Sequence, residues 1–241
     1  MAAADLDVVV AVRGGYGWTR LLDRIDYAAL AARQQRWLGH SDFTAFQLAA
    51  LARAGMITFA GPMAAYDFGA EQPSAFTFEQ CFGVLDHAAW EIGARSRAHR
   101  RWWRAGRCGA AICRWSLISR RHAVPAATSR AACSFVEDVG EHPYRVERLL
   151  YQLLHAGVLE RQRAVMLGRV SPSISSNAND EGYDLAAAIA HLRERARCRS
   201  TPACRSATCA TNSRSPSAGV ACSKRATAWR DARCRTTAVK A

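Results

Sequence analysis

The sequence predicts an α/β fold, and three observations carry that prediction. Asp7-Val8-Val9-Val10-Ala11-Val12 is a continuous, largely β-branched run of the kind that fills a parallel strand buried on both faces. Further short apolar runs alternate with amphipathic stretches of helical period down the chain. Half of the 241 residues are hydrophobic, enough to bury a core.

In chain order, the first strand ends in Arg13-Gly14-Gly15-Tyr16-Gly17, a loop whose glycines let the backbone approach a ligand or another loop closely. The dinucleotide spacing G-x-G-x-x-G is absent. Residues 18–36 read as a helix with Leu21, Leu22, Ile25, Leu30 and Ala31 on its apolar face. Trp37-Leu38 leads into Gly39-His40-Ser41-Asp42-Phe43. A helix over about 44–54 follows, with Phe46, Leu48, Ala49, Leu51 and Ala52 at helical spacing and Gly55 just past its end. Met56 to Ala60 reads as a strand closed by Gly61-Pro62, residues 64–80 as loop, and Phe76 to Trp90 as holding a short helix.

Beyond Ala94 the character changes. Residues 94–134 contain ten arginines and no carboxylate, and show no usable period. Order returns with a strand at Phe135–Val139, an amphipathic helix over Tyr144–His155 ended by Gly157, a strand at Ala164–Gly168 and a helix from Asp184 to about Arg193. The tail over 195–241 carries nine arginines, two lysines and one aspartate. It is nearly devoid of Leu, Ile, Phe and Met, so no core is expected there. The expected organisation is a partial α/β unit over 1–67, a linker over 68–93, an irregular segment over 94–134, part of a second unit over 135–194, and an irregular tail over 195–241.

The net charge of +13 is the charge of a nucleic-acid binder, but both basic segments lie outside the ordered stretches, and the rest of the chain is net acidic. Eight of the nine cysteines fall in the same two segments, with Cys81 apart. Spacings such as Cys108-x₄-Cys113 and Cys204-x₄-Cys209 contain no C-x₂-C pair, so zinc is not expected, and no cofactor is implied. No apolar run reaches 18 residues, and the N-terminus has neither a basic nor an apolar signal region. A cytoplasmic protein without disulfides follows as the expectation.

Ser41 is the candidate for chemistry. A serine on a strand-to-helix turn can present its hydroxyl as a nucleophile, with the helix N-terminus supplying N–H groups to a developing oxyanion. The other reading of the pentapeptide, with Ser41 or Asp42 as a helix N-cap, stays open on local grounds.

Four ordered motifs then carry a family resemblance. They are Val12-Arg13-Gly14-Gly15-Tyr16-Gly17, Gly39-His40-Ser41-Asp42-Phe43-Thr44, Phe59-Ala60-Gly61-Pro62-Met63, and Val136-Glu137-Asp138-Val139-Gly140-Glu141 with Pro143-Tyr144-Arg145-Val146-Glu147-Arg148. Over about 5–93 and 135–194 the chain resembles the LD-carboxypeptidases, the muramoyltetrapeptide carboxypeptidases related to microcin-immunity peptidases. The resemblance implies two α/β domains with the site between them, a Ser-His-Glu serine peptidase, and release of the terminal D-alanine from murein tetrapeptide in peptidoglycan recycling. Ser41 matches the nucleophile. Glu137 best matches the acid that orients the histidine, with Glu141 as the alternative. Backbone N–H groups of Asp42 and of the Gly14-Gly15 loop would form the oxyanion hole, and Tyr16 would line the substrate site. A murein peptide is the implied partner and a homodimer the implied assembly.

The resemblance also implies a histidine in a Gly-Leu-Pro-Phe-Gly-His pattern near the C-terminus, and this sequence has none; its last histidine is His191. The two odd segments suggest why. Read two bases on, Arg107 to Ser119 permits the Leu-Trp-Gly-Gly-Asn segment of these peptidases. With the same shift Arg197 to Gly219 permits the histidine pattern, its Gly-His falling across Ser206, Ala207 and Thr208. The expectation is therefore a truncated, partly out-of-frame relative, with unpaired sheet edges and a catalytic serine lacking its base. A non-catalytic interaction protein is the alternative.

Overall fold

The computed structural model describes residues 6–87, 90–91, 107–112, 132–159, 164–171, 180–195, 207–208 and 235–236. The α/β class holds, in two parallel sheets. The first has the order β1-β2-β3, from β1 (Val8–Val10), β2 (Arg36–Gly39) and β3 (Phe59–Ala60). Val8 pairs with Arg36 and Leu38 with Phe59, each pair parallel. Two residues of apolar lead-in before the Ser41 motif suffice for a strand because β2 is hydrogen-bonded on both sides.

The long helix expected over 18–36 is broken. Two single 3₁₀ turns, Trp18–Arg20 and Leu22–Arg24, precede the short helix α1 (Tyr27–Ala32). Asp26 starts α1 by accepting the Ala29 amide at 3.0 Å, and Ile25 before it is extended, at φ −94° and ψ 127°, which interrupts the helix. Helix α2 (Phe43–Ala54) ends as expected. Gly55 adopts φ 63° and its N–H reaches the Leu51 carbonyl at 3.0 Å, a left-handed cap that only glycine makes without strain.

Nearly all of α2's first half is buried, and Trp18, Tyr27, Trp37 and Phe43 surround the Phe46 ring at centroid distances of 5.1–6.3 Å. This aromatic cluster fixes α2 on the sheet. The stretch expected as loop from 64 contains a single π-turn, Ala64–Phe68, and helix α3 (Ala75–Asp86) begins where Ser74 Oγ accepts the Thr77 amide at 3.3 Å.

The second sheet has the order β5-β6-β7-β8, all parallel: β5 (Arg107–Ile112), β6 (Ala132–Val139), β7 (Ala164–Ser171) and β8 (Ala207–Thr208). β4 (Trp90–Glu91) pairs antiparallel with β9 (Arg235–Thr236). Short strands fall in the segments expected to be irregular: β5 and the first residues of β6 lie within 94–134, and β8 and β9 lie within 195–241. A strand needs a backbone ladder more than a side-chain period, and β6 and β7 offer one to β5 and β8. The remainder of both segments, and with it most of what the shifted reading would recode, lies outside the described residues.

Helix α4 (Pro143–His155) carries proline at its first turn, where the missing N–H costs nothing. It buries Val146, Leu150 and Leu153 against Val136, Leu167 and, from helix α5 (Leu185–Arg195), Ile189 and Leu192. Each such side chain is worth about 1.5–3 kcal/mol of burial, which is why the period over Tyr144–His155 was so legible. α2 runs beside β5, bringing the Ser41 helix against the second sheet.

Candidate active site

Ser41 stands where β2 gives way to α2, with φ at 61°. A non-glycine residue held in the left-handed region costs about 1–2 kcal/mol, and such strain persists only where the surroundings over-determine it. Here the surroundings are the glycine loop. Gly14 packs so closely that a Cβ on it would lie 2.8 Å from Ser41 Cβ and 2.9 Å from Oγ. Only the absent side chain lets the loop reach the hydroxyl.

Neither Ser41 nor Asp42 caps the helix. Asp42 makes no side-chain bond to its own first turn. Its carboxylate, 1% exposed, turns away and accepts the Trp18 amide at 2.9 Å, with the Gly17 amide beside it. Burial pushes the Asp42 carboxyl above its ordinary range, and those two amides pull it part of the way back. The carboxylate therefore pins the end of the glycine loop to the elbow. The Asp42 amide takes no partner among the described residues.

The other flank is held by His40. Its Nε2 lies 3.5 Å from Asp67 Oδ2, the oxygen that also accepts the Met63 amide at 2.7 Å. Burial lowers the His40 pKa, and Asp67 partly restores it. The Ala64 and Ala65 amides reach back to the carbonyls of Ala11 and Val12 at 3.0 and 2.8 Å, so the π-turn bearing Asp67 abuts the root of the glycine loop. This pair was not foreseen: Asp67 lies in a stretch read as loop, and the one local signal was a histidine inside the serine motif.

Of the expected site residues, Ser41, Asp42, Gly14 and Gly15 meet on one loop-and-elbow unit. Tyr16, on the same loop, projects outward, 70% exposed, with the Arg20 guanidinium 5.2 Å from its ring. Glu137 stands apart on β6 of the second sheet, paired with Ile112. No hydrogen bond among the described residues joins it to Ser41. The β6–β7 register slips beside it: Val136 faces Leu167 but Asp138 faces Val170, so β7 carries an extra residue opposite Glu137. Bulges of this kind re-aim side chains next to active sites. Burial raises the Glu137 pKa, and the neighbouring Asp138 carboxylate raises it further. Glu141, the alternative, accepts from Arg145 at 3.3 Å at the entry to α4.

The described histidines other than His40 are occupied elsewhere. His142 caps α4 through the Tyr144 amide and meets Asp180 at 3.1 Å, His191 faces Glu147 at 3.4 Å, His155 packs on Tyr151, and His87 lies 3.1 Å from the Gly83 carbonyl. No group of metal-ligating side chains occurs among the described residues.

The LD-carboxypeptidase N-terminal domain matches residues 1–61 and the LD-carboxypeptidase C-terminal domain matches residues 109–214. A Streptomyces coelicolor protein, provisionally named a carboxypeptidase, is 34% identical over 172 residues, 68% of this chain and 53% of that protein. The murein tetrapeptide carboxypeptidase of Pseudomonas aeruginosa is 30% identical over 178 residues, 68% of this chain and 56% of its own length. The chain thus spans about half the length of the curated relatives it matches.

The crystal structure of muramoyltetrapeptide carboxypeptidase from Oxalobacter formigenes superposes with a TM-score of 0.70 at 35% identity, covering 79% of this chain and 65% of that one. Structures of the microcin C7 self-immunity protein, at 18–19% identity, share the fold. With both domain types matched in order and the serine elbow in place, this chain belongs to the LD-carboxypeptidase family.

Proposed function

We propose that Ser41 is the nucleophile of a serine-type carboxypeptidase site built to release the terminal D-alanine of murein tetrapeptide, and that this chain lacks the imidazole such a site needs. The strained elbow, with Gly14 against the hydroxyl, carries the reading. A hydroxyl held in that way is of little use to packing. It suits attack on a carbonyl whose oxygen would be received by the Asp42 and Gly14-Gly15 amides. Glu137 would orient the imidazole from the second sheet, in the role that holds a histidine in its working tautomer.

The base is the missing part. A serine attacks only as fast as its proton is removed, and loss of the histidine alone costs about 10⁶ in kcat in a serine protease. The oxyanion donors and the binding surface stay behind. The chain would then bind a murein tetrapeptide and turn it over slowly or not at all.

A D-alanine release assay on purified protein, alongside calorimetric binding of the same tetrapeptide, tests this. Binding with release at least a thousandfold slower than an intact family member is the expected result. Release at the rate of such a member would show that the base is present after all. Absence of binding would leave a non-catalytic remnant as the better account. The nucleotide sequence around codons 94–134 and 195–241 tests the out-of-frame reading directly: an intact frame with no shifted motif defeats it.

A further inference from the structure

We propose that Arg13 is the receptor for the substrate's C-terminal carboxylate, an inference that rests on the reading of Ser41 as nucleophile. A peptidase that removes a single C-terminal residue must hold a free carboxylate at a fixed, short distance from its serine. One residue separates the two, and successive Cα atoms are about 3.8 Å apart. A charged donor holds such an anion best, through short charge-assisted hydrogen bonds.

The glycine loop meets the distance requirement. Gly14 touches Ser41, and Arg13 is the next residue along. Arg13 Nε donates to the Gly14 carbonyl at 3.1 Å, which ties the exposed guanidinium to the loop. One terminal nitrogen lies 3.6 Å from where a Cβ on Gly15 would sit, so glycine at that position leaves the nitrogen uncovered. Nε is engaged within the protein, while the two terminal nitrogens have no protein partner among the described residues. They form the planar pair that a carboxylate can take in two parallel hydrogen bonds.

Neighbouring cations are placed differently. Arg20 lies over the Tyr16 ring, and Arg53 is held by Asp23 and covers Tyr27. Arg13 therefore combines a place next to Gly14, which packs on Ser41, with a bond tying its Nε to the loop and open terminal donors.

The test is calorimetric binding to the full chain of murein tetrapeptide and of the same peptide amidated at its C-terminus. Unmodified protein should prefer the free acid by about ten- to a hundredfold, the range of a charged hydrogen-bonded pair. Arg13→Gln should bind both peptides like the amide, Arg13→Lys should keep part of the preference, and Arg20→Gln should keep all of it. Equal binding of acid and amide by the unmodified chain overturns the proposal, as does an undiminished preference in Arg13→Gln or its loss in Arg20→Gln. Failure of the unmodified chain to bind either peptide overturns the functional reading and this proposal with it.

Discussion

The Asp42 carboxylate accepts the Trp18 amide at 2.9 Å across 24 positions of sequence. This bond joins the first turn of the serine helix to the end of the glycine loop, and so sets how Gly14 meets Ser41. A carboxylate at a helix start would ordinarily serve its own helix. Here it serves the loop, and the Asp42 amide is left to other use.

Asp42→Ala should therefore destabilise the protein by about 1–3 kcal/mol, because it strands the Trp18 amide. Asp42→Asn keeps an acceptor and should cost clearly less. Urea unfolding followed by tryptophan fluorescence measures both. Equal stability of the alanine variant would show that the bond does not hold the loop.

Gly14→Ala places a methyl group where Ser41 already stands, at 2.8 Å from its Cβ. Overpacking of this kind costs about 1–3 kcal/mol. Adding Ser41→Gly removes the atoms it strikes and should recover much of the loss. A double-mutant cycle on urea midpoints reads the coupling, expected at about 0.5–3 kcal/mol. Additive effects would mean that the loop retreats freely.

His40 makes stability depend on pH. Its folded pKa is lowered, first by burial, with Asp67 opposing. The unfolded chain then binds the proton more readily than the folded one, so the His40 contribution is complete above the ordinary value of about 6.5. It is lost as pH falls through that value towards the folded one. The urea midpoint of the unmodified chain should drop over this window relative to His40→Gln. Asp67→Asn removes the opposing charge and should deepen the drop. A difference between the chains that stays constant across the window would exclude His40 as its source.

Cys81 packs between Leu38, Phe59, Val84 and Leu85, and burial, with Asp86 and Asp67 nearby, pushes its thiol up to about 11. The thiolate is the reactive form. Cys81 should therefore resist iodoacetamide at neutral pH and react once urea unfolds the chain, as peptide mass mapping would show. Rapid labelling in the folded state would contradict this packing.

What the sequence made legible was local. Helix α2 announces its end through Gly55, and α4 shows its buried stripe in Val146, Leu150 and Leu153. The region from 18 to 36 misled because Leu21, Leu22 and Ile25 keep helical spacing while the backbone at Ile25 is extended. β5 was unreadable for a related reason: its order comes from the β6 ladder, not from its own composition. At the site, Ser41 and Gly14, singled out through motifs, meet at the elbow, while Glu137, singled out the same way, stands apart on β6. The tie of His40 to Asp67 was missed because nothing in either neighbourhood names the other.

The left-handed conformation of Ser41 also sets a direction of drift. Replacing it by glycine relieves the steric term, less the extra freedom glycine gains in the unfolded chain. While hydrolysis is selected, that gain is out of reach on the proposed reading, which gives the attack to the hydroxyl. In a lineage released from that selection, Ser41→Gly becomes one of the most accessible stabilising changes in the elbow. On the proposed reading that the base is lost, a serine still standing there would date that loss, in the manner of a clock that starts when activity ends.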